Sequence, residues 1–317
     1  MCQTQVALKM IYIRQFRPMN LVIMAIMMLS IHFFLMKPIF GAFQLVFVLD
    51  NLHQALLALS CVLVAAGGYL INNYYDYETD QQNRPDRVIA DKNWLLNAYF
   101  PVTLAGIGLG VYVAYRAGLM NLGIVHILCT FALWKYAESW KGIALFGNLL
   151  VSLLLGILVL IPALFEFVGM GVLKSVEPEA FRYLGLTLLI YALFAFWSNL
   201  CRELVKTLED SDGDAATGWQ TAAVRFGAAR TRQLVWVVLV LALAGIGLVV
   251  WYQQQTTDWK PMAYTLLAVA LPLVMSLFYF YRSETRTDYS RLSWWLKIWM
   301  LGGITTLPVY YLFFYLS

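Results

Sequence analysis

The sequence predicts an all-α polytopic membrane bundle of nine transmembrane helices, with the N-terminus cytoplasmic and the C-terminus outside. Three observations carry this. Of 317 residues, 61% are hydrophobic and only 13% charged, whereas a soluble globular chain carries about 25% charged residues. Mean hydropathy is +0.69, which also excludes disorder. The apolar residues come in blocks of roughly 20, the length that crosses a bilayer core as a helix and not the short alternating segments of a barrel. Scattered glycines and prolines exclude collagen-like or low-complexity chains. A net charge of +4 without a basic tract gives no sign of a nucleic-acid partner.

Each block is bounded by charge. The first, Met19–Met36, follows Arg14 and Arg17 and ends at Lys37. The second, His53–Tyr75, runs into an acidic stretch. The third, Trp94–Tyr115, lies between Lys92 and Arg116. The fourth and fifth, Leu119–Tyr136 and Ile143–Phe165, are joined by the short link Lys135–Gly142. The sixth, Tyr183–Val205, lies between Arg182 and Lys206. The seventh, Leu234–Trp251, follows Arg230 and Arg232. The eighth, Met262–Tyr281, lies between Lys260 and Arg282, and the ninth, Ser293–Tyr315, follows Arg291 and contains Lys297. The first block is long enough to be a true span, so no cleavable signal is predicted. Residues 1–317 read as a single domain.

Lysines and arginines set the orientation. Of 22, sixteen fall in the N-terminus and the loops after spans two, four, six and eight, and five in the opposite loops. The positive-inside rule then makes the first set cytoplasmic. An odd number of spans follows, because losing one would scramble the alternation. The expected location is the cell inner membrane. His32 and His126 sit within apolar runs and are expected to hydrogen-bond a neighbouring helix. The four cysteines show no metal or disulfide spacing and are read as packing residues.

Acids contribute little to topology, yet ten of the 18 lie in the loops after the second and sixth spans or, for Glu203, at the end of the sixth span itself. A solvated charge run is the plain explanation, and the spacing argues against it. Asn72, Asp76 and Asp80 repeat every four residues, so on a helix each is offset from the last by only about 40° and all three point one way. They begin inside the apolar block and emerge from it, where carboxylates are costly and functional by default. Asp210 and Asp214 repeat the spacing, with Lys206 one turn earlier. If that helix continues, the three share a face; Gly213 is placed to end it. Oxygen ligands of this kind suit Mg²⁺ shared with substrate phosphates. Cations beside them, over an apolar bundle that accepts a hydrocarbon tail, suggest cleavage of a lipid diphosphate.

These residues resemble the UbiA superfamily of intramembrane prenyltransferases. Its N-x-x-x-D-x-x-x-D signature is matched by Asn72, Asp76 and Asp80, its N-[KR]-P-x-R loop by Asn83-Arg84-Pro85-Asp86-Arg87, and its second D-x-x-x-D by Asp210 and Asp214. Tyr136 with Lys141, and Gly147-Asn148, resemble the pattern between its fourth and fifth helices. Arg202-Glu203-x-x-Lys206 followed by Gly213-Asp214 is similar to the digeranylgeranylglyceryl phosphate synthase branch, except that Thr207 stands where that branch carries Asp, and Thr221-Ala222-Ala223 where it carries T-L-P. The resemblance implies Mg²⁺-dependent transfer from a prenyl diphosphate donor to a lipophilic acceptor in the membrane lipid. The first acceptor it implies is geranylgeranylglyceryl phosphate, giving an ether; an aromatic acceptor of quinone, tocopherol or chlorophyll type is the alternative.

The resemblance assigns Asn72, Asp76, Asp80, Asp210 and Asp214 to metal and diphosphate. It assigns Arg84, Arg87, Lys141, Arg202, Lys206 and Asn148 to substrate, although topology alone explains any single cation and a helix contact explains Asn148. Tyr136 is the aromatic expected beside an allylic cation; Tyr74 and Tyr75 lie nearby. Glu203 either pairs with Arg202 or acts on the acceptor. Glu209 and Asp212 point away from the Asp210 face. Arg14, Arg17 and Asn20 open the first span on the site's side, where they could contact the acceptor; orienting the span by positive charge is the role read for them. A transporter is the reading from another class, but its carboxylates belong near the midplane and not at one face. A CDP-alcohol phosphotransferase lacks its motif, because Asp214-Ala215-Ala216-Thr217 follows Asp212-Gly213.

Overall fold

The computed structural model describes residues 10–83, 88–171, 178–255 and 259–315. Among them the fold is helical, with a single β-bridge between Ile143 and Gln220. Eight helices are long and apolar enough to cross a membrane: α1 (Pro18–Ala42), α2 (Asn51–Tyr75), α4 (Lys92–Arg116), α6 (Phe146–Gly169), α7 (Pro178–Glu209), α10 (Ala228–Gln253), α11 (Lys260–Arg282) and α12 (Arg286–Tyr315). Each matches one predicted block, although α6 begins at Phe146, three residues after the start of the fifth. The remaining block, the fourth, divides into a 3-10 turn (Met120–Gly123) and α5 (Ile124–Glu138), whose 15 residues are shorter than the eight. Four short helices lie between the long ones: α3 (Tyr77–Asn83), α8 (Ser211–Ala216), α9 (Ala222–Phe226) and a turn at Trp140–Gly142.

Helix α7 is the shared wall of the bundle. It packs on α6 along one side and on α10 and α12 along the other. One apolar core, with Met28, Leu57, Val159 and Leu188, lies on its first side; a second, with Leu204, Leu239, Leu273 and Trp299, lies on its other. Helices α2 and α4 approach closely because small residues face each other. A Cβ on Gly67 would stand 2.1 Å from Thr103 Oγ1, and one on Gly106 would stand 2.9 Å from the Val64 backbone nitrogen. Such contacts replace the hydrophobic drive that lipid cannot supply between helices. The outside stays apolar: Leu104, Leu193, Leu248 and Phe278 are all exposed.

Polar groups inside the bundle are tied across helices. His32 Nε2 lies 2.9 Å from Asn51 Oδ1, and His126 Nε2 lies 2.7 Å from Ser60 Oγ, so both histidines bond a neighbouring helix as the sequence predicts. Cys61 and Cys201 are free and buried. Glu166, buried on α6, accepts from the backbone N–H groups of Val48 (2.7 Å) and Leu49 (3.1 Å) and from Gln54 Nε2 (3.1 Å). One carboxyl group thus satisfies the two donors exposed where the chain leaves α1 for α2, which would otherwise be costly in an apolar bundle.

Candidate active site

Each acidic motif straddles a break between a long helix and a short one. Asp76 (φ −82°, ψ 0°) separates α2 from α3, and Asp210 (φ −98°, ψ 3°) separates α7 from α8. Both adopt the bridge region of backbone space, where the chain bends with little loss of hydrogen bonding. The i+4 bonds run through each break: Asp76 N–H to Asn72 O at 2.9 Å, Asp80 N–H to Asp76 O at 2.7 Å, Asp210 N–H to Lys206 O at 2.9 Å, and Asp214 N–H to Asp210 O at 3.0 Å. Spacing by four therefore keeps each set on one face despite the bend. The break falls at Asp210 and not at Gly213, which lies inside the short helix that runs on to Ala216.

The short helices α3 and α8 touch, so residues 130 positions apart in sequence share one polar cleft. Asp76, Asp80, Asp210 and Asp214 all line it, with Asn72, Lys141, Asn148, Lys206 and Thr207. Glu209 and Asp212 do not. Lys141 forms an ion pair with Asp76 and lies over the Trp219 ring, 4.9 Å from its centroid. Asn72 Nδ2 donates to Asp76 Oδ2 at 2.7 Å, which fixes that carboxylate between an amide and an ammonium. Asn148 Nδ2 donates to Thr207 Oγ1 at 3.1 Å, and Thr207 in turn donates to Glu203 O at 2.9 Å. Thr207 thus joins α6 to α7 at the cleft wall. Burial, reinforced by the charges of Asp210 and Asp76, pushes the Asp214 carboxyl up to about 6.

Beneath the cleft lies a larger apolar cavity of about 1410 Å³, its open mouth included. Val64, Leu133, Leu155 and Leu158 are among its walls, and it reaches down α2 from Asn72 to Cys61, about 16 Å at the helical rise per residue. Arg17, Asn72, Tyr136, Glu203 and Lys206 line both spaces and form their junction. Tyr136 therefore stands where the polar cleft meets the apolar cavity, whereas Tyr74 and Tyr75 pack on each other 5.5 Å apart and line neither space. Arg202 opens onto the apolar cavity only, where its Nη1 pairs with Glu203 Oε1 at 2.7 Å. Arg84 and Arg87 lie outside the described residues.

The residues missed in sequence are those brought in from other helices. Arg17, in a left-handed conformation (φ 51°) at the start of α1, reaches Asn73 Oδ1 at 3.4 Å and lies 4.9 Å from the Tyr69 ring centre. Asn73 also holds Gln15 through its amide, at 3.0 Å to the backbone oxygen, so the first span is locked against α2 beside the acidic motif. Lys297 of α12 lines the apolar cavity. Trp219 is brought to the cleft by the Ile143–Gln220 bridge.

The donor set suits Mg²⁺. Two carboxylate pairs line one cleft, and the repulsion of Asp214 by Asp210 and Asp76 is of the kind a bound cation relieves. Among the described residues no three His, Cys, Asp or Glu side chains form a closed cage.

The UbiA prenyltransferase family model matches residues 20–301. Digeranylgeranylglyceryl phosphate synthase of Sulfurisphaera tokodaii is 29% identical over 181 residues, which cover 57% of this chain and 60% of that relative's length. The synthase of the same name from Methanopyrus kandleri is 32% identical over 215 residues, covering 68% of this chain and 72% of the relative. An apo structure of a UbiA homolog from Aeropyrum pernix shares the fold, with a TM-score of 0.61 at 13% identity, over 89% of this chain and 96% of that one.

Proposed function

The chain belongs to the UbiA prenyltransferase family, and on that premise we propose that it transfers a geranylgeranyl group from its diphosphate to geranylgeranylglyceryl phosphate, forming an ether. One observation carries the reading: two acidic motifs from separate helices line one polar cleft, which shares its floor with a long apolar cavity. The cleft has the chemistry for a diphosphate, and the cavity the length and apolarity for a prenyl tail. Asp76, Asp80, Asp210 and Asp214, with Asn72 orienting Asp76, would hold Mg²⁺. Bound there, the ion supplies Lewis-acid stabilisation of the charge on the departing diphosphate.

The chain's own residues do the rest. Lys141 and Lys206 offer ammonium groups to phosphate oxygens, and Asn148 fixes the Thr207 hydroxyl at the cleft wall. The reacting carbon is placed at the junction, beside the Tyr136 ring, where an aromatic face stabilises positive charge as the allylic C–O bond breaks. The acceptor hydroxyl then attacks that carbon, and its proton goes to the released diphosphate. An electrophile this strong needs no strong base. The cavity wall excludes water that would capture the carbon first. Membership of the family sets the transporter reading aside.

The Arg202-Glu203-x-x-Lys206 pattern and the names of the relatives favour a glyceryl acceptor over an aromatic one. Incubation of the purified protein with geranylgeranyl diphosphate, Mg²⁺ and either geranylgeranylglyceryl phosphate, 4-hydroxybenzoate or dihydroxynaphthoate decides between them. Mass analysis should find the ether and little ring-prenylated product. Robust ring prenylation without ether would replace the acceptor while leaving the donor site standing.

The same proposal places the whole chain as one domain in the cell inner membrane, with α5 and its preceding turn as a ninth crossing and the cleft facing the cytoplasm. In a variant freed of native cysteines, Gln81→Cys and Arg225→Cys should react with an impermeant thiol reagent only from the cytoplasmic side. Gln44→Cys and Gln255→Cys should react only from outside. The reverse pattern, or labelling of Gln81→Cys and Arg225→Cys from opposite sides, defeats this arrangement.

A further inference from the structure

The cleft accounts for one anion, but the cations extend beyond it. Arg17, Arg202, Lys206 and Lys297, from three different helices, line the apolar cavity near its junction with the cleft. Glu203 is the one carboxylate lining that cavity, and it is already paired with Arg202 at 2.7 Å. Four cations against one carboxylate leave this wall strongly positive, at the edge of a space otherwise fit for hydrocarbon. Lys206 also lines the cleft and can serve the diphosphate there; Arg202 and Lys297 line only the cavity.

Lys297 is the informative member. It sits eleven residues into α12, about 16 Å from Arg286 along the helix axis. A charge at that depth is costly, and the helix would lose nothing by carrying an apolar residue there. Lys297 does not escape to water along the lipid face: together with Met300, three residues on and so on the same helix face, it lines the interior cavity. No ion pair among the described residues includes it, and its electrostatic neighbours are Arg202, Arg17, Lys206 and Glu203. Three of those four repel it. An anion joining like charges gathered in an apolar enclosure relieves their repulsion.

We propose that Lys297, with Arg17 and Arg202, forms a second anion subsite that holds the phosphate of the acceptor. The inference rests on the glyceryl phosphate reading above and assigns its acceptor half. An amphiphile with one phosphate and a long hydrocarbon chain matches a cavity that is cationic at one edge and apolar along its depth. Held there, the acceptor presents its hydroxyl towards the junction, while the diphosphate occupies the cleft on the junction's other side. Two anions are thereby kept apart by Glu203 and the cation row. Arg17 and Arg202 have guanidinium groups suited to phosphate oxygens, and Lys297 adds a point charge. Lys297 is in this sense a specificity-determining residue.

Lys297→Met keeps length and removes charge. With the purified enzyme, KM for geranylgeranylglyceryl phosphate should rise roughly tenfold or more, KM for geranylgeranyl diphosphate should stay within twofold, and Lys297→Arg should restore most of the loss. The preference for geranylgeranylglyceryl phosphate over unphosphorylated geranylgeranylglycerol should fall by the same factor. An unchanged donor KM also reports an intact fold. An unchanged acceptor KM, or equal loss against both acceptors, overturns the subsite while leaving the ether reading in place. A wild-type enzyme that forms no ether from either glyceryl acceptor overturns both.

Discussion

Asp76→Asn and Asp210→Asn should each lower prenyl transfer by roughly 10³-fold, the scale of losing a preorganised electrostatic group at a developing charge, without unfolding the protein. Each substitution keeps the size of the side chain and removes its negative charge. Both positions lie at helix breaks with ψ near zero, a region that Asn adopts as readily as Asp, so the bend survives. What changes is the charge available to a cation and, at Asp76, the partner of Lys141. Lys141 would then be free to pair with the remaining carboxylates or the diphosphate, which adds misplacement to the lost ligand. Turnover at saturating Mg²⁺, read beside the thermal transition in detergent, checks this. Near-normal Mg²⁺-dependent turnover in either variant would mean that the two carboxylate pairs do not act together.

The parts of this site that follow a helical period are the parts the sequence reveals. Asn72, Asp76 and Asp80 can be placed on one face by counting in fours, and so can Lys206, Asp210 and Asp214, because the turn-to-turn hydrogen bonds continue through both breaks. The bends themselves have no comparable signature: Asp76 and Asp210 look like any other member of their series. Arg17 and Lys297 carry no such periodic signal, since a cation on a distant helix joins a cavity only through packing. Seven of the nine apolar blocks are clear from length and bounding charge. Where the link Lys135–Gly142 compresses two of them, one becomes the short α5, and no hydropathy window resolves a 3-10 turn from a helix end. The resemblance to a family supplied Tyr136, Lys141 and Gly147-Asn148 as a pattern. The structure supplies their physical reason, which for Gly147 is space.

That reason leads to a second large effect. Gly147→Ala should cut turnover by about 10²-fold, the loss expected when a catalytic group is displaced by about an ångström. A Cβ at Gly147 would stand 2.7 Å from Lys141 Cα and 3.2 Å from Trp140 O. Those are backbone atoms and cannot rotate aside as a side chain would. The segment carrying Lys141 has little room to retreat. The ring of Trp219 fills the space where a Cβ on Gly142 would lie, at 2.1 Å, and the Ile143–Gln220 bridge pins its far end. The added methyl must therefore shift Lys141 relative to Asp76 or open the bridge, and either disturbs the cleft. Gly247→Ala is the matched control, since a Cβ there meets nothing within 4 Å and Ala favours a helix over Gly by about 1 kcal/mol. The mechanism is checked by a double-mutant cycle: if Gly147 acts by seating Lys141, Gly147→Ala should add little to the defect of Lys141→Met. Full additivity would assign Gly147 a role independent of that ion pair, and normal turnover in the single variant would show that the segment yields where the packing says it cannot.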